Sequence, residues 1–173
     1  MTSQKKDDCL LVEDLSPYID TKTIEVLNES TDNVWSNALI IDKKETSQES
    51  YLESDVDEQI LINLSFKHTI SFLAFKIECD DIDYAPKTIK IFHNFGTLGF
   101  DNCEELTPTV EFIMHPKDLS KDIKLDTPKL KFVNNLTIFI EDNQGDMDTT
   151  KINKIHLLGR SGSNTDMSKL RKC

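Results

Sequence analysis

This chain lacks most of the short patterns that mark common chemistry. Its four cysteines, Cys9, Cys79, Cys103 and Cys173, lie far apart and none forms CxxC. That excludes a thioredoxin-type redox motif and a zinc ribbon. In a reducing compartment they are expected to be free thiols, Cys9 and Cys173 exposed, Cys79 and Cys103 packed or at strand edges. Neither GxGxxG nor GxxxxGK(S/T) occurs, so nucleotide sites of those types are unsupported. The nearest text to a nucleophile elbow, Gly159-Arg160-Ser161-Gly162-Ser163, has the wrong spacing and sits in a polar tail. His68, His93, His115 and His156 show neither HxH nor HExxH spacing and read as surface or strand-edge residues. No cofactor is implied, and the expectation is a chain without catalytic residues.

Long apolar runs are missing too. No stretch approaches the roughly 18 apolar residues of a membrane span. The N-terminal text MTSQKKDDCLLVEDL has neither a long apolar core nor a small-residue cleavage site. No membrane is expected, and cytoplasmic and nuclear locations follow by default.

What is present is charge and alternation. The 173 residues carry a formal net charge of -11 and 38% hydrophobic residues. One core and one domain fit that length and composition. The acidic balance makes nucleic acid an unlikely general partner and a basic protein surface a natural one. A monomer is expected.

Residues 1–14 read as a flexible segment, and Ser16-Pro17 as the start of a short helical turn. Ile24 and Val26 share a face, with a turn at Asn28. Residues 42–50 form a charged loop without a hydrophobic anchor, the best candidate for a mobile insertion. From Ile60 the period is mostly two. Ile60 to Phe66 is one expected strand, and Ile70 to Ile77 a second, apolar on both faces. An acidic turn follows over 80–86, then a strand over 88–92, a loop over 94–102 and a strand over 110–114. His115 to Lys121 suits a helical turn, and Leu130 and Phe132 mark another strand. The late strands are Leu136 to Glu141 and Thr150 to Leu158, the latter closed by Gly159, with a polar tail over 160–173. The sequons at Asn63 and Asn135 lie inside strands, which makes them poor glycosylation sites. No internal repeat stands out. Short strands, turn signals and no long amphipathic helix predict an all-β sandwich, its long connections suiting a jelly roll with a few short helical turns.

Two segments carry candidate binding residues. Glu53, Asp55, Asp57 and Glu58 lead directly into the strand that opens at Ile60. They read either as a solvated approach that deters edge pairing or as a docking patch. Asp142, Asn143, Gln144 and Asp146 lie in a late loop that superficially resembles a calcium loop. The helix-loop-helix pattern needs glycine at its sixth position and glutamate at its twelfth. Here those positions hold Met147 and Asn153, so the match fails and no metal is assigned. The single tryptophan, Trp35, is an interface anchor if exposed and core if buried.

Three segments also resemble a known family. Glu25-Val26-Leu27-Asn28-Glu29-Ser30 is similar to its CLNES element, with Val26 where cysteine is often seen. Tyr51 to Phe66 resembles its ESDxDEQLL run, and Leu136 to Thr150 its late strand and turn. Fragments 86–92 and 131–135 and the tail 164–167 fit as well. The family is the PITH domain, a proteasome-interacting module found C-terminal to a thioredoxin domain in some thioredoxin-like proteins. The resemblance covers roughly residues 15–168 and places the sandwich at 15–159. It implies a jelly-roll β-sandwich like galactose-binding domains, docking on a subunit of the proteasome regulatory particle, and no catalytic residues. The CGPC site of a thioredoxin domain is absent from this sequence. The alternative is a small-ligand, carbohydrate-like binding sandwich, with Trp35, Tyr51, Tyr84, Phe95 and Phe100 as its loop aromatics.

Overall fold

The computed structural model describes residues 12–39 and 50–161. Its strands are β1 (Glu13–Asp14), β2 (Ile19–Leu27), β3 (Leu52–Glu53), β4 (Ile60–Glu78), β5 (Thr88–His93), β6 (Val110–Ile113), β7 (Ile123–Lys124), β8 (Val133–Ile140), β9 (Lys151–Ile152) and β10 (Lys154–Ser161). One short helix, α1 (Phe100–Glu105), and single 3-10 turns such as Ser16–Tyr18 and Pro116–Asp118 join them. The chain is an all-β curled sandwich, as its alternation predicts.

β4 organises the fold. The two strands expected over 60–66 and 70–77 are one continuous element of 19 residues. Neither glycine nor proline interrupts Lys67-His68-Thr69, so the backbone stays extended there and bends instead of stopping. Ser65 pairs with Asn135 and Ile70 with Val133, which sets Phe66, Lys67, His68 and Thr69 against Asn134 alone. That wide bulge turns the strand. Before the bend β4 pairs with β2 and β8; after it, with β10 and β7. Both of its ends return to the same segment, since the Thr150 hydroxyl donates to Glu58 O and Asn153 N donates to Glu78 O. One layer therefore runs β2-β4-β8-β5-β6 and the other β1-β10-β4-β7.

The burial pattern reverses the expectation for the two halves. The half expected to alternate is buried on both faces, because Leu61 packs with Phe92, Leu98, Cys103 and Phe139 beneath α1. Asn63, also on that face, takes the Leu98 N–H and donates to Leu98 O, with Thr137 Oγ1 donating to its Oδ1. A buried carboxamide bonded through both its nitrogen and its oxygen fixes the 94–99 loop over the strand. The half expected to be apolar on both faces leaves Ser71, Leu73 and Lys76 partly exposed. Leu158 pairs with Ala74 and Gly159 with Phe72, so Leu73 is an extra residue in the ladder. Gly159 lies at that bulge, where a Cβ would sit 1.9 Å from the Ser71 carbonyl oxygen. The expected stop at Gly159 is not a stop: β10 runs through it to Ser161.

Other boundaries move for local reasons. Leu130 closes a 3-10 turn over Pro128–Leu130, and Phe132 stands 73% exposed outside the sheet, so no separate strand forms there. Proline at the start of that turn fixes φ and favours the turn over extension. Within the expected loop over 94–102, α1 begins at Phe100, the Asn102 side chain accepting from Gly99 N. The expected last strand is split at Asn153 into β9 and β10. Asn63 and Asn135 do lie in strands, the first 3% exposed. The 42–49 part of the charged loop, Cys9 and Cys173 lie outside the described residues. The main core takes its inward residues from both layers, among them Ile62, Phe72, Leu136 and Ile155. Phe139, fully buried, would cost about 3–5 kcal/mol if truncated to alanine.

Candidate docking site

The site begins with Asn28, the turn residue after β2. Its φ of 68° is in the left-handed region, which asparagine tolerates better than most residues. In that pose its Nδ2 donates to Asp57 Oδ1 at 2.8 Å and Gln59 O at 2.7 Å, and its Oδ1 accepts from Val56 N at 3.0 Å. Asp55 N donates to Asn28 O. One side chain thus shapes the whole 55–59 loop. The neighbouring Glu29 takes the Trp35 N–H on Oε2 at 2.8 Å. Burial pushes the Glu29 carboxyl above its ordinary value, and the Trp35 bond opposes that shift. Trp35 is neither free nor fully buried: it packs partly buried against the core.

The late segment closes the knot. β3 pairs with β9, Leu52 opposite Ile152 and Glu53 opposite Lys151. Ser54 and Thr150 exchange bonds, Ser54 N to Thr150 O and Thr150 N to Ser54 Oγ. Thr149 Oγ1 donates to Glu53 Oε2 at 2.8 Å. In the late loop Asn143, 3% exposed, donates to Met147 O and Thr149 O and accepts from Met147 N. Gln144 donates to Pro86 O and Met114 O. Gly145 N donates to Asp83 O at 2.7 Å, and a Cβ on Gly145 would sit 2.7 Å from Asp83 Cβ. This contact brings the 80–84 turn alongside.

The arrangement sorts the eight candidate residues by role. Asn143 and Gln144 are spent on holding the late loop, and Asn143 is too buried to meet a partner. Glu53 and Asp57 are anchored, Glu53 by Thr149 and Asp57 by Asn28 and by Gln59 N. Asp142 takes the Thr88 N–H and so pins β5. Asp55 and Asp146 are exposed and Glu58 is partly so. Among the described residues, the Asp55 and Glu58 carboxylates have no hydrogen-bond or ion-pair partner. Asp146 sits at φ 55°, which turns the loop at its tip.

The fold adds residues that sequence spacing did not group. Asp80, Asp81 and Asp83 join the same end through Gly145 and through Asp80 N, which donates to Asn153 Oδ1. Val56 and Ile82 protrude there, 83% and 50% exposed. Lys151 Nζ lies 5.2 Å from the Tyr51 ring centre and 4.3 Å from that of Tyr84, so both rings cover its charge. The signal for Asp80, Asp81 and Asp83 was visible as an acidic turn, but nothing in the sequence set it beside residues 55 and 146. The result is an end with many carboxylates and two aliphatic side chains. It offers charge and apolar contact, and among the described residues no group of His, Cys, Asp or Glu side chains is placed to hold a metal.

Comparison with known proteins gives a consistent picture. A family described as PITH domain matches residues 5–173. Thioredoxin-like protein 1 of Schizosaccharomyces pombe is 35% identical over 167 residues, covering 91% of this chain and 55% of that protein. PITH domain-containing protein ZK353.9 of Caenorhabditis elegans is 30% identical over 147 residues, 84% of this chain and 70% of that protein. The chain spans about half the length of the first of these relatives. Among solved structures, the family 32 CBM from C. perfringens NanJ in complex with galactose superposes with a TM-score of 0.61 at 11% identity, over 86% of this chain and 99% of that one. That likeness is one of fold, a galactose-binding-like sandwich.

Proposed function

The chain belongs to the PITH domain family, and from that premise we propose that it is a non-catalytic protein-docking module acting through its acidic end. One observation carries this reading. Carboxylates from three segments remote in sequence, around Asp55, Asp83 and Asp146, are tied to one end by the Gly145–Asp83, Asn143–Thr150 and Ser54–Thr150 contacts, with Val56 exposed on the first of them. Such an end attracts a basic protein surface at long range, and an aliphatic anchor then supplies contact once water is excluded. The proteasome regulatory particle is the partner that the family resemblance implies. The module acts as a monomer in the cytoplasm and nucleus.

The sugar-binding alternative has the fold in its favour, but four of its five loop aromatics are already engaged. Tyr51 and Tyr84 cover Lys151. Phe100 meets Phe139 and Trp35 packs on the core, which leaves Phe95, 50% exposed, as a single open ring. A stacking platform for a sugar ring needs a free aromatic face beside polar groups.

The test is capture of purified proteasome at low and high salt, with Asp55→Lys/Glu58→Lys as the variant. These two carboxylates hold nothing in the fold, so the variant should melt like the wild type. Capture that weakens with salt and drops at least tenfold in the variant supports the reading. Capture that the variant retains would move the interface elsewhere. An absence of capture together with a melting shift in a sugar panel would favour the carbohydrate reading.

A further inference from the structure

The opposite end of the sandwich carries a local group of cations beside exposed aromatic rings, although Asp20 also lies there, opposite Ser65. It is built from the bend of β4, the loop after β5 and the segment before β8. Asn94, at φ 59°, joins the last two. Its Nδ2 donates to Phe132 O at 2.8 Å, and its Oδ1 accepts from Asn134 N at 2.8 Å. Gly96 N donates to Asn135 Oδ1 at 2.8 Å. Two loops are thereby locked together, and each presents a phenylalanine: Phe95 is 50% and Phe132 73% exposed. Exposed rings on a rigid support have lost little freedom left to lose on binding, which is the condition for an efficient anchor.

Cations surround them. Lys129 and Lys131 flank Leu130, both exposed. Burial, then the nearby Lys129 charge, holds His93 below its ordinary value, which puts that charge beside the Phe95 loop. Arg160 pairs in register with Ser71, whose hydroxyl donates to Lys131 O at 2.8 Å. Residues paired across an antiparallel ladder share a face, so Arg160 lies on the face of the Lys131 segment. Its Nε is buried and has no hydrogen-bond partner. Among the described residues none of Lys129, Lys131 and Arg160 forms an ion pair.

We propose that this end is a second docking surface, for an acidic protein segment bearing an apolar side chain that packs on Phe95 and Phe132 while its carboxylates meet Lys129, Lys131 and Arg160. Charge complementarity selects that occupant. A long phosphate polymer or a broad anionic membrane would bring the rest of this acidic chain into repulsion. A short acidic segment meets only the local patch, because the far end lies beyond a Debye length of about 8 Å. With an acidic end and a local basic patch at the other, the module would bridge two partners.

The probe is a fluorescein-labelled peptide of aspartate and glutamate around a central Leu-Phe pair, titrated with the full chain by anisotropy. Binding should weaken with salt and be absent for the same peptide with lysines in place of its acids. Lys129→Glu/Lys131→Glu and Phe95→Ser/Phe132→Ser should each lose about tenfold in affinity, the scale of a modest hot spot. Their melting temperatures should hold, since all four side chains are exposed. Asp55→Lys/Glu58→Lys should bind this peptide no more weakly than wild type, which separates this surface from the acidic one. No binding by the wild type, equal binding by both patch variants, or capture by phosphatidylserine vesicles without peptide binding would overturn the proposal.

Discussion

Replacing Asn28 tests whether one turn residue holds the acidic loop in shape. Asn28 makes three short side-chain bonds, to Asp57 Oδ1, Gln59 O and Val56 N, at 2.7–3.0 Å. Each contributes about 1 kcal/mol net, and partial exposure lets water replace some of that. Asn28→Gly keeps the left-handed turn and loses the bonds, so it should cost about 2 kcal/mol. Asn28→Ala adds the penalty of a Cβ in that region, about 1 kcal/mol more. For a domain of this size 1 kcal/mol moves the melting temperature by about 2–4 °C. The expected drops are therefore about 4–8 °C for glycine and about 6–12 °C for alanine. Asn28→Asp keeps the acceptor for Val56 but sets a second carboxylate against Asp57, and should fall with alanine. The assay is thermal unfolding by circular dichroism, followed by proteasome capture with the same proteins. An Asn28→Ala protein melting within about 2 °C of wild type would refute the reasoning. Equal drops for glycine and alanine would refute its backbone part.

Three further outcomes follow from single contacts. Gly159→Ala drives a Cβ to 1.9 Å from Ser71 O, a backbone atom, so β10 must part from β4; the loss should exceed about 4 kcal/mol and show as failure to fold or a collapse in urea midpoint. Burial raises the Cys79 and Cys103 thiols to about 11, so both should alkylate roughly a hundredfold more slowly at pH 8 in the native protein than in denaturant, read by peptide mass spectrometry. The His156 hydrogen bond holds the Glu78 carboxyl below its ordinary value, so the native state releases a proton that the unfolded chain still binds. That pair stabilises above the ordinary carboxylate pKa and its contribution fades as pH falls through the depressed one. His156→Ala should flatten the stability profile as pH falls below the ordinary carboxylate value; an unchanged profile would sink the assignment.

Much of this molecule was legible in its residues. Alternation from Ile60 onward fixed the class as β, and the turn signals at Asn28 and Gly145 stand where the chain turns. The NES, ESDVDE and late-loop segments identified the family before any geometry. Periodicity reports only which faces are apolar, however, and not what covers them. It therefore could not tell that Leu61 and Asn63 lie beneath α1, or that Lys67-His68-Thr69 bends one strand through both layers. Nor could linear spacing separate the two roles within the acidic segments. Asn143, Gln144, Glu53 and Asp57 are polar in sequence like their neighbours, yet they are held by partners up to 96 positions away. Composition alone determined that the chain would be acidic, and residue alternation that it would be rich in strand. Only the closing of β4 on the 150–153 segment decided that carboxylates from three remote segments would share one end, while Lys129, Lys131 and two exposed phenylalanines gather near its bend, because charge pattern in space depends on which segments a fold brings together.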